Sequence, residues 1–294
     1  MSELKNGRVM KGIGGFYYVD TGTGVYECKA RGILKKDKAK LLVGDLVSLE
    51  VLDEAGKVGN IVHLSVRKNE MIRPAMANVD GVLLVCSMSR PKPDFTVLDQ
   101  MILEYRRQHL KVILVFNKLD ESNPEQEEEI RTIYRRSEVP CFFVSAKTGE
   151  GTEALFDCLN GYFTVLSGNS GVGKSTLLNA LGGEVLMETG TISRKIGRGK
   201  HTTRHSEIFK LNGETWLADT PGYGRVLPPN LEAEELADYY PEFEGYRGDC
   251  RFQPCSHLHE PDCAVKSAVN RGEISSVRYR NYGIIYEELK GKKR

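Results

Sequence analysis

No apolar run in this 294-residue sequence is long enough to cross a bilayer. The longest, Gly81 to Met88 (GVLLVCSM), falls far short of the roughly 18 residues a spanning helix needs. The first dozen residues lack the apolar core of a signal peptide, so the expected location is cytoplasmic and no membrane partner is expected. Internal repeats and low-complexity tracts are missing too. Charge of one sign is not in excess: 41 Lys and Arg face 40 Asp and Glu, a net charge of +1. Global charge therefore announces no nucleic-acid partner. The seven cysteines are an odd number. Cys28, Cys86, Cys141 and Cys158 are scattered in apolar surroundings and read as reduced core residues. Cys250, Cys255 and Cys263 cluster, and require another account.

What is present suits a globular protein of two or three domains, with 40% hydrophobic and 28% charged residues. Residues 1–68 hold short strand-like runs (7–20, 24–34, 42–53 and 59–66) with turn signals at Asp20-Thr21-Gly22 and Glu54-Ala55-Gly56. Five short strands in this length predict a small closed barrel, an OB-fold or an SH3-like barrel. Residues 1–44 are locally basic, with nine Lys and Arg against four Asp and Glu, and the chain ends in KGKKR. Either run is a solvated face or a footprint for phosphate backbone. The stretch 67–80 reads as a linker. Over 69–227, buried strands alternate with helical segments, which predicts a parallel sheet with helices on both faces. Residues 228–294 are polar, carry the Cys/His cluster and end in a short helix.

Gly168-Asn169-Ser170-Gly171-Val172-Gly173-Lys174-Ser175 fits the eight-residue phosphate-loop pattern, between an apolar strand and a helix that opens with Ser175 and Thr176. Glycine allows the backbone angles that turn successive N–H groups inward, and the helix N-terminus adds its dipole. Lys174 would reach the β- and γ-phosphates, and Ser175 would ligate Mg²⁺. Asp219, in the D-x-x-G of Asp219 to Gly222, would join the Mg²⁺ shell, with the Gly222 N–H on the γ-phosphate. Between them lies GRGKHTTRH, a candidate switch loop. Thr202 or Thr203 would close on Mg²⁺ and γ-phosphate there, and Thr203 is favoured by position.

Asn117-Lys118-Leu119-Asp120 ends an apolar strand. Guanine offers N1–H and N2–H₂ on one edge, and a single carboxylate accepts both. Asp120 fits that role, Asn117 can donate to N7, and the Lys118 stem can cover the base. Ser145-Ala146-Lys147 follows the next strand, placing the Ala146 N–H for guanine O6. The base motif thus precedes the phosphate loop by about fifty residues, the reverse of the usual order. Ligands of an open α/β sheet gather at the carboxyl ends of its strands, so the site depends on converging strand ends and not on chain order. This predicts a circularly permuted GTPase domain.

Together these motifs resemble the RsgA (YjeQ/YloQ) family, the circularly permuted GTPases of bacteria that depend on the small ribosomal subunit. The resemblance covers essentially the whole chain. It implies an OB-fold domain (1–68), a permuted GTPase domain (69–227) and a C-terminal zinc-binding domain (228–294). It also implies GTP hydrolysis to GDP in late maturation of the 30S subunit, with 16S rRNA as partner and stimulation by that subunit. The chain is expected to be a monomer. Three thiolates and an imidazole within fourteen residues match a closed structural zinc site. His257 and His259 compete for the imidazole position, and the resemblance selects His257 beside Cys250, Cys255 and Cys263. Many GTPases orient the attacking water with a Gln just after the D-x-x-G glycine. Here that residue is Tyr223, so His201 in the switch loop becomes the candidate replacement, beside Lys174 and Thr203. Two competing classes remain: an RNA-binding module gated by GTP with negligible hydrolysis, and a signalling GTPase. The basic barrel disfavours the latter.

Overall fold

The computed structural model describes residues 3–31, 40–72, 74–188, 207–219 and 231–291. They fall into two compact units. One comprises Met1–Gly81, Ala154–Ser167 and Lys174–Gly222, the other Val82–Glu153, Gly168–Gly173 and Tyr223–Arg294.

The first unit opens with β1 (Leu4–Ile13), β2 (Phe16–Asp20), β3 (Val25–Ala30), β4 (Leu46–Asp53) and β5 (Val58–Leu64). They close into a barrel of order β1-β2-β3-β5-β4, with β4 returning antiparallel to β1 and only β3–β5 parallel. This is the expected OB-fold. In β3, Val25 and Glu27 face solvent while Tyr26 and Cys28 point inward, the period-two alternation of a half-buried strand. Val9, Val19, Tyr26, Cys28, Val47, Leu49 and Ile61 fill the interior. Both predicted turns form by side-chain capture: the Gly22 N–H donates to Asp20 Oδ1 (2.7 Å) and the Gly56 N–H to Asp53 Oδ1 (3.0 Å).

The expected linker is partly built into the structure. It carries a small ribbon, β6 (Glu70–Met71) and β7 (Met76–Ala77), held to the barrel by the Ala77 N–H donating to Val43 O at 2.9 Å. Buried Asp45 accepts both Arg67 Nε (2.7 Å) and Nη2 (2.9 Å). Gly44, at φ 92°, allows the approach, since a Cβ there would stand 2.2 Å from Ala77 O.

The same unit contains β11 (Phe163–Ser167), β12 (Glu207–Asn212), β13 (Thr215–Asp219) and a helix that begins at Lys174. β13 lies parallel to β11, but β12 runs antiparallel beside β13, so the sheet is not all parallel as expected. A two-residue turn, Gly213-Glu214, joins β12 to β13 and permits only a hairpin.

In the second unit β8 (Gly81–Ser87), β9 (Lys111–Asn117) and β10 (Cys141–Val144) lie in the order β10-β9-β8. β9 is buried from Val112 to Asn117, as a strand covered on both faces requires. Helix α1 (Phe95–Arg107) starts where the Asp94 carboxylate accepts the N–H groups of Thr96 and Val97. Helix α2 (Pro124–Tyr134) starts at a capping box between Asn123 and Gln126, with Pro124 in its first turn.

The C-terminal segment is more than a short helix. Its last helix, α4 (Ser276–Gly291), follows α3 (Ala264–Asn270) and lies against α1. Leu236, Phe243, Val265, Ala268, Tyr282 and Ile285 share a buried cluster with Leu103 of α1.

Candidate functional site

β9 delivers Asn117 at its carboxyl end, 2% exposed. Its amide spans two loops. Nδ2 donates to Val172 O at 3.0 Å, and Oδ1 accepts the Ala146 N–H at 3.0 Å. One buried side chain therefore fixes the phosphate-type loop Gly168–Gly173 and the Ser145-Ala146-Lys147 turn at once. Glycine is required at both ends of that loop. A Cβ on Gly168 (φ 143°) would meet Val85 O at 2.2 Å, and one on Gly173 (φ 95°) would meet Asn117 Nδ2 at 2.3 Å.

Lys118 adopts the left-handed conformation (φ 67°) and its Nζ donates to Arg90 O at 2.6 Å. Buried Ser145 donates its hydroxyl to Asp120 Oδ1 at 2.6 Å, and Lys147 Nζ stands 3.8 Å from Asp120 Oδ2. These contacts, the Ser145 hydroxyl first, hold the Asp120 carboxyl below its ordinary pKa. Asp120 is thus an ionised, oriented acceptor at neutral pH. The Arg90 carbonyl was not singled out from the sequence; a backbone atom carries no sequence signal.

Lys174 and Asp219 belong to the other unit. Asp219 is the last residue of β13, 8% exposed, and pairs in register with Leu166 of β11. Burial lowers the Lys174 pKa, and the Asp219 charge opposes that shift. Ser175 and Thr176 are exposed in the first turn after Lys174, as are Asn169 and Ser170 in the loop. His201, Thr202, Thr203, Gly222 and Tyr223 lie outside the described residues.

The ligand atoms of Cys250, Cys255, His257 and Cys263 all lie within 4.8 Å of one another. Cys250 Sγ is 3.8 Å from Cys263 Sγ, and His257 Nδ1 is 3.6 and 3.5 Å from those two sulfurs. Bonds of about 2.3 Å in a tetrahedron give edges of about 3.8 Å, so the cluster has the size of a four-coordinate zinc site. The Tyr279 hydroxyl donates to His257 O (2.7 Å) and the Tyr282 hydroxyl to Ser256 O (2.8 Å), pinning the loop from α4. His259 is exposed, with Nε2 3.4 Å from Glu287 Oε1 and outside the cluster.

Comparison with known proteins agrees with this geometry. The family model "RsgA GTPase" matches residues 64–226 and "RsgA N-terminal domain" matches residues 6–61. A relative from Agathobacter rectalis, called small ribosomal subunit biogenesis GTPase RsgA, is 46% identical, covering 98% of this chain and 99% of that protein. One of the same name from Alkaliphilus metalliredigens is 44% identical, covering 99% and 100%. The crystal structure of YjeQ from Thermotoga maritima superposes with a TM-score of 0.79 at 33% identity, covering 98% of this chain and 99% of that one. That of YloQ, described as a circularly permuted GTPase, also gives 0.79, at 30% identity with 99% and 97% coverage.

Proposed function

The chain belongs to the RsgA GTPase family, and on that premise we propose that it hydrolyses GTP while assisting maturation of the small ribosomal subunit. The observation that carries the reading is Asn117, which joins the guanine-type corner to the phosphate-type loop through two 3.0 Å bonds. Asp120 accepts the N1–H and N2–H₂ of guanine, Ala146 donates to O6, and Lys118 covers the base. Gly168 to Gly173 wrap the phosphates, and Lys174 reaches the γ-phosphate. Ser175 and Thr203 would hold a Mg²⁺ whose charge offsets that of the phosphates, with Asp219 in its outer shell and Thr202 and Gly222 on the nucleotide. His201 is the proposed water-positioning group.

Domain roles follow as 1–68 for RNA docking, 69–227 for GTP and 228–294 for zinc. Cys250, Cys255, His257 and Cys263 would hold one structural zinc, which would cross-link the loop before α3. The partner is the 30S subunit and its 16S rRNA, met by a monomer in the cytoplasm. Names of close relatives and the locally basic barrel support that partner.

The deciding experiment is GTP turnover titrated with 30S, 50S and 70S particles. Slow basal turnover, on the order of 10⁻⁴ to 10⁻² s⁻¹ by analogy with unassisted GTPases, should rise with 30S alone. Absence of stimulation would leave a GTP-gated RNA-binding module. Metal analysis should find one zinc per chain, lost in Cys255→Ala.

A further inference from the structure

A cleft of about 550 Å³ opens within the first unit, and none of the proposed nucleotide or zinc residues lines it. Its walls are β1 (Asn6, Arg8), the end of β2 (Asp20), β4 (Ser48) and the β12–β13 hairpin (Lys210, Trp216). The volume falls within the range of about 300 to 1,000 Å³ typical of small-ligand sites.

The cleft wall is built around the one tryptophan of the chain. The Arg8 guanidinium lies 5.5 Å from the Trp216 ring and 5.2 Å from that of Phe163, and Lys210 Nζ lies 5.0 Å from Trp216. Trp216 is 3% exposed, yet its Nε1 finds no hydrogen-bond partner among the described residues; neither does buried Arg8 Nη1. Each unmade bond of a buried donor costs about 1–3 kcal/mol. Both donors belong to residues of this wall, and the described residues supply an acceptor for neither. Acceptors are present as well: Asp20 Oδ2 is 3.6 Å from Lys210 Nζ, and Glu214 lines the same cleft. The two cations, Arg8 and Lys210, are thus balanced by two carboxylates. A purely anionic ligand would meet the carboxylates, and a purely apolar one would meet the cations.

We infer that this cleft receives one unpaired nucleobase of a single-stranded RNA segment. A base edge carries carbonyl acceptors and N–H donors side by side, the mixture this wall complements. The inference rests on the proposed RNA-containing partner, and it adds a specific contact on the side of the barrel.

The test uses the full chain and single-stranded hexanucleotides of A, C, G and U, followed by fluorescence anisotropy at fixed salt. Wild type should favour one of the four. Trp216→Phe keeps an aromatic ring, smaller than the indole, and removes the donor, and should cut that preferred affinity by about five- to a hundredfold, the range of one base contact. Ser48→Tyr, at the barrel rim, should obstruct the cleft and give a similar loss. Basal GTP turnover should stay unchanged in both. Equal binding of all four oligonucleotides, or wild-type affinity in both variants, would overturn the inference. So would hexanucleotides that fail to bind wild type while a peptide occupies the cleft. Failure of the 30S subunit to stimulate wild type would count against the proposed function alone, because oligonucleotide binding is read without ribosomes.

Discussion

Two polar clusters of the second unit bury charge by opposite means. Around Asp120 the chain supplies part of the hydrogen bonding and leaves the carboxylate partly exposed, while Asn117 beside it is bonded at both ends of its amide. Ser145 holds one oxygen of Asp120, and exposed Lys147 stands 3.8 Å from the other. Around Arg278, 1% exposed, the groups close on one another. Arg278 Nη1 donates to Asp99 Oδ1 at 2.5 Å and Nε to Glu242 Oε1 at 2.8 Å. Asn281 and Tyr134 complete Asp99 at 2.7 and 3.1 Å. Glu242 Oε2 is left without a partner among the described residues. The first arrangement leaves a carboxylate partly open to solvent. The second fastens α4 to α1, and with it the C-terminal segment to the sheet helices.

Breaking the closed cluster should have the largest effect on stability. Arg278→Met leaves Asp99 and Glu242 buried without their cation and should cost about 3–5 kcal/mol in urea unfolding. Adding Asp99→Asn and Glu242→Gln should recover part of that loss. An unchanged midpoint in Arg278→Met would mean the cluster is not a fastening. Asp120→Asn should do the reverse: little change in unfolding, but weaker GTP binding by about 1.5–3 kcal/mol, the range for a hydrogen bond to a charged group. It should also shift preference to xanthine nucleotides, read by competition against GTP.

Smaller effects refine the open corner. Ser145→Ala removes the largest contribution to the depressed Asp120 pKa and should weaken GDP binding by about 1 kcal/mol. The sign of the pH effect follows from that depression. A carboxyl lowered in the folded state adds stability above its unfolded pKa and loses it as pH falls through the folded pKa. In wild type, guanine binding should therefore persist in acid below the ordinary carboxyl range, and Ser145→Ala should move its acid limb upward. A calorimetric pH series checks both. Lys147→Met should matter least, about 0–1 kcal/mol, since its ammonium is largely exposed.

Much of this was legible in the sequence because it depends on local chemistry. Strand–loop–helix context and glycine spacing marked Gly168 to Ser175, and an apolar run ending in Asn-Lys-Leu-Asp marked the guanine corner. The antiparallel β12 was missed, since a six-residue edge strand carries little periodic signal. Arg278 was missed as well. On a helix of mixed composition its charge reads as solvated until Asp99 is seen beside it, 179 positions away in sequence.

The sequence by itself determined the order of the motifs and hence the permutation, a small closed barrel and the three cysteines of the metal-type cluster, because each is written in neighbouring residues. Tertiary structure alone decided the rest. It set His257 among the three cysteines and His259 against Glu287, although the two histidines are separated by one residue. It made Asn117 a brace between two loops and brought Arg8 onto Trp216. The physical reason is the same each time: a side chain's partner is chosen by the packing of distant segments, and spacing along the chain does not encode that.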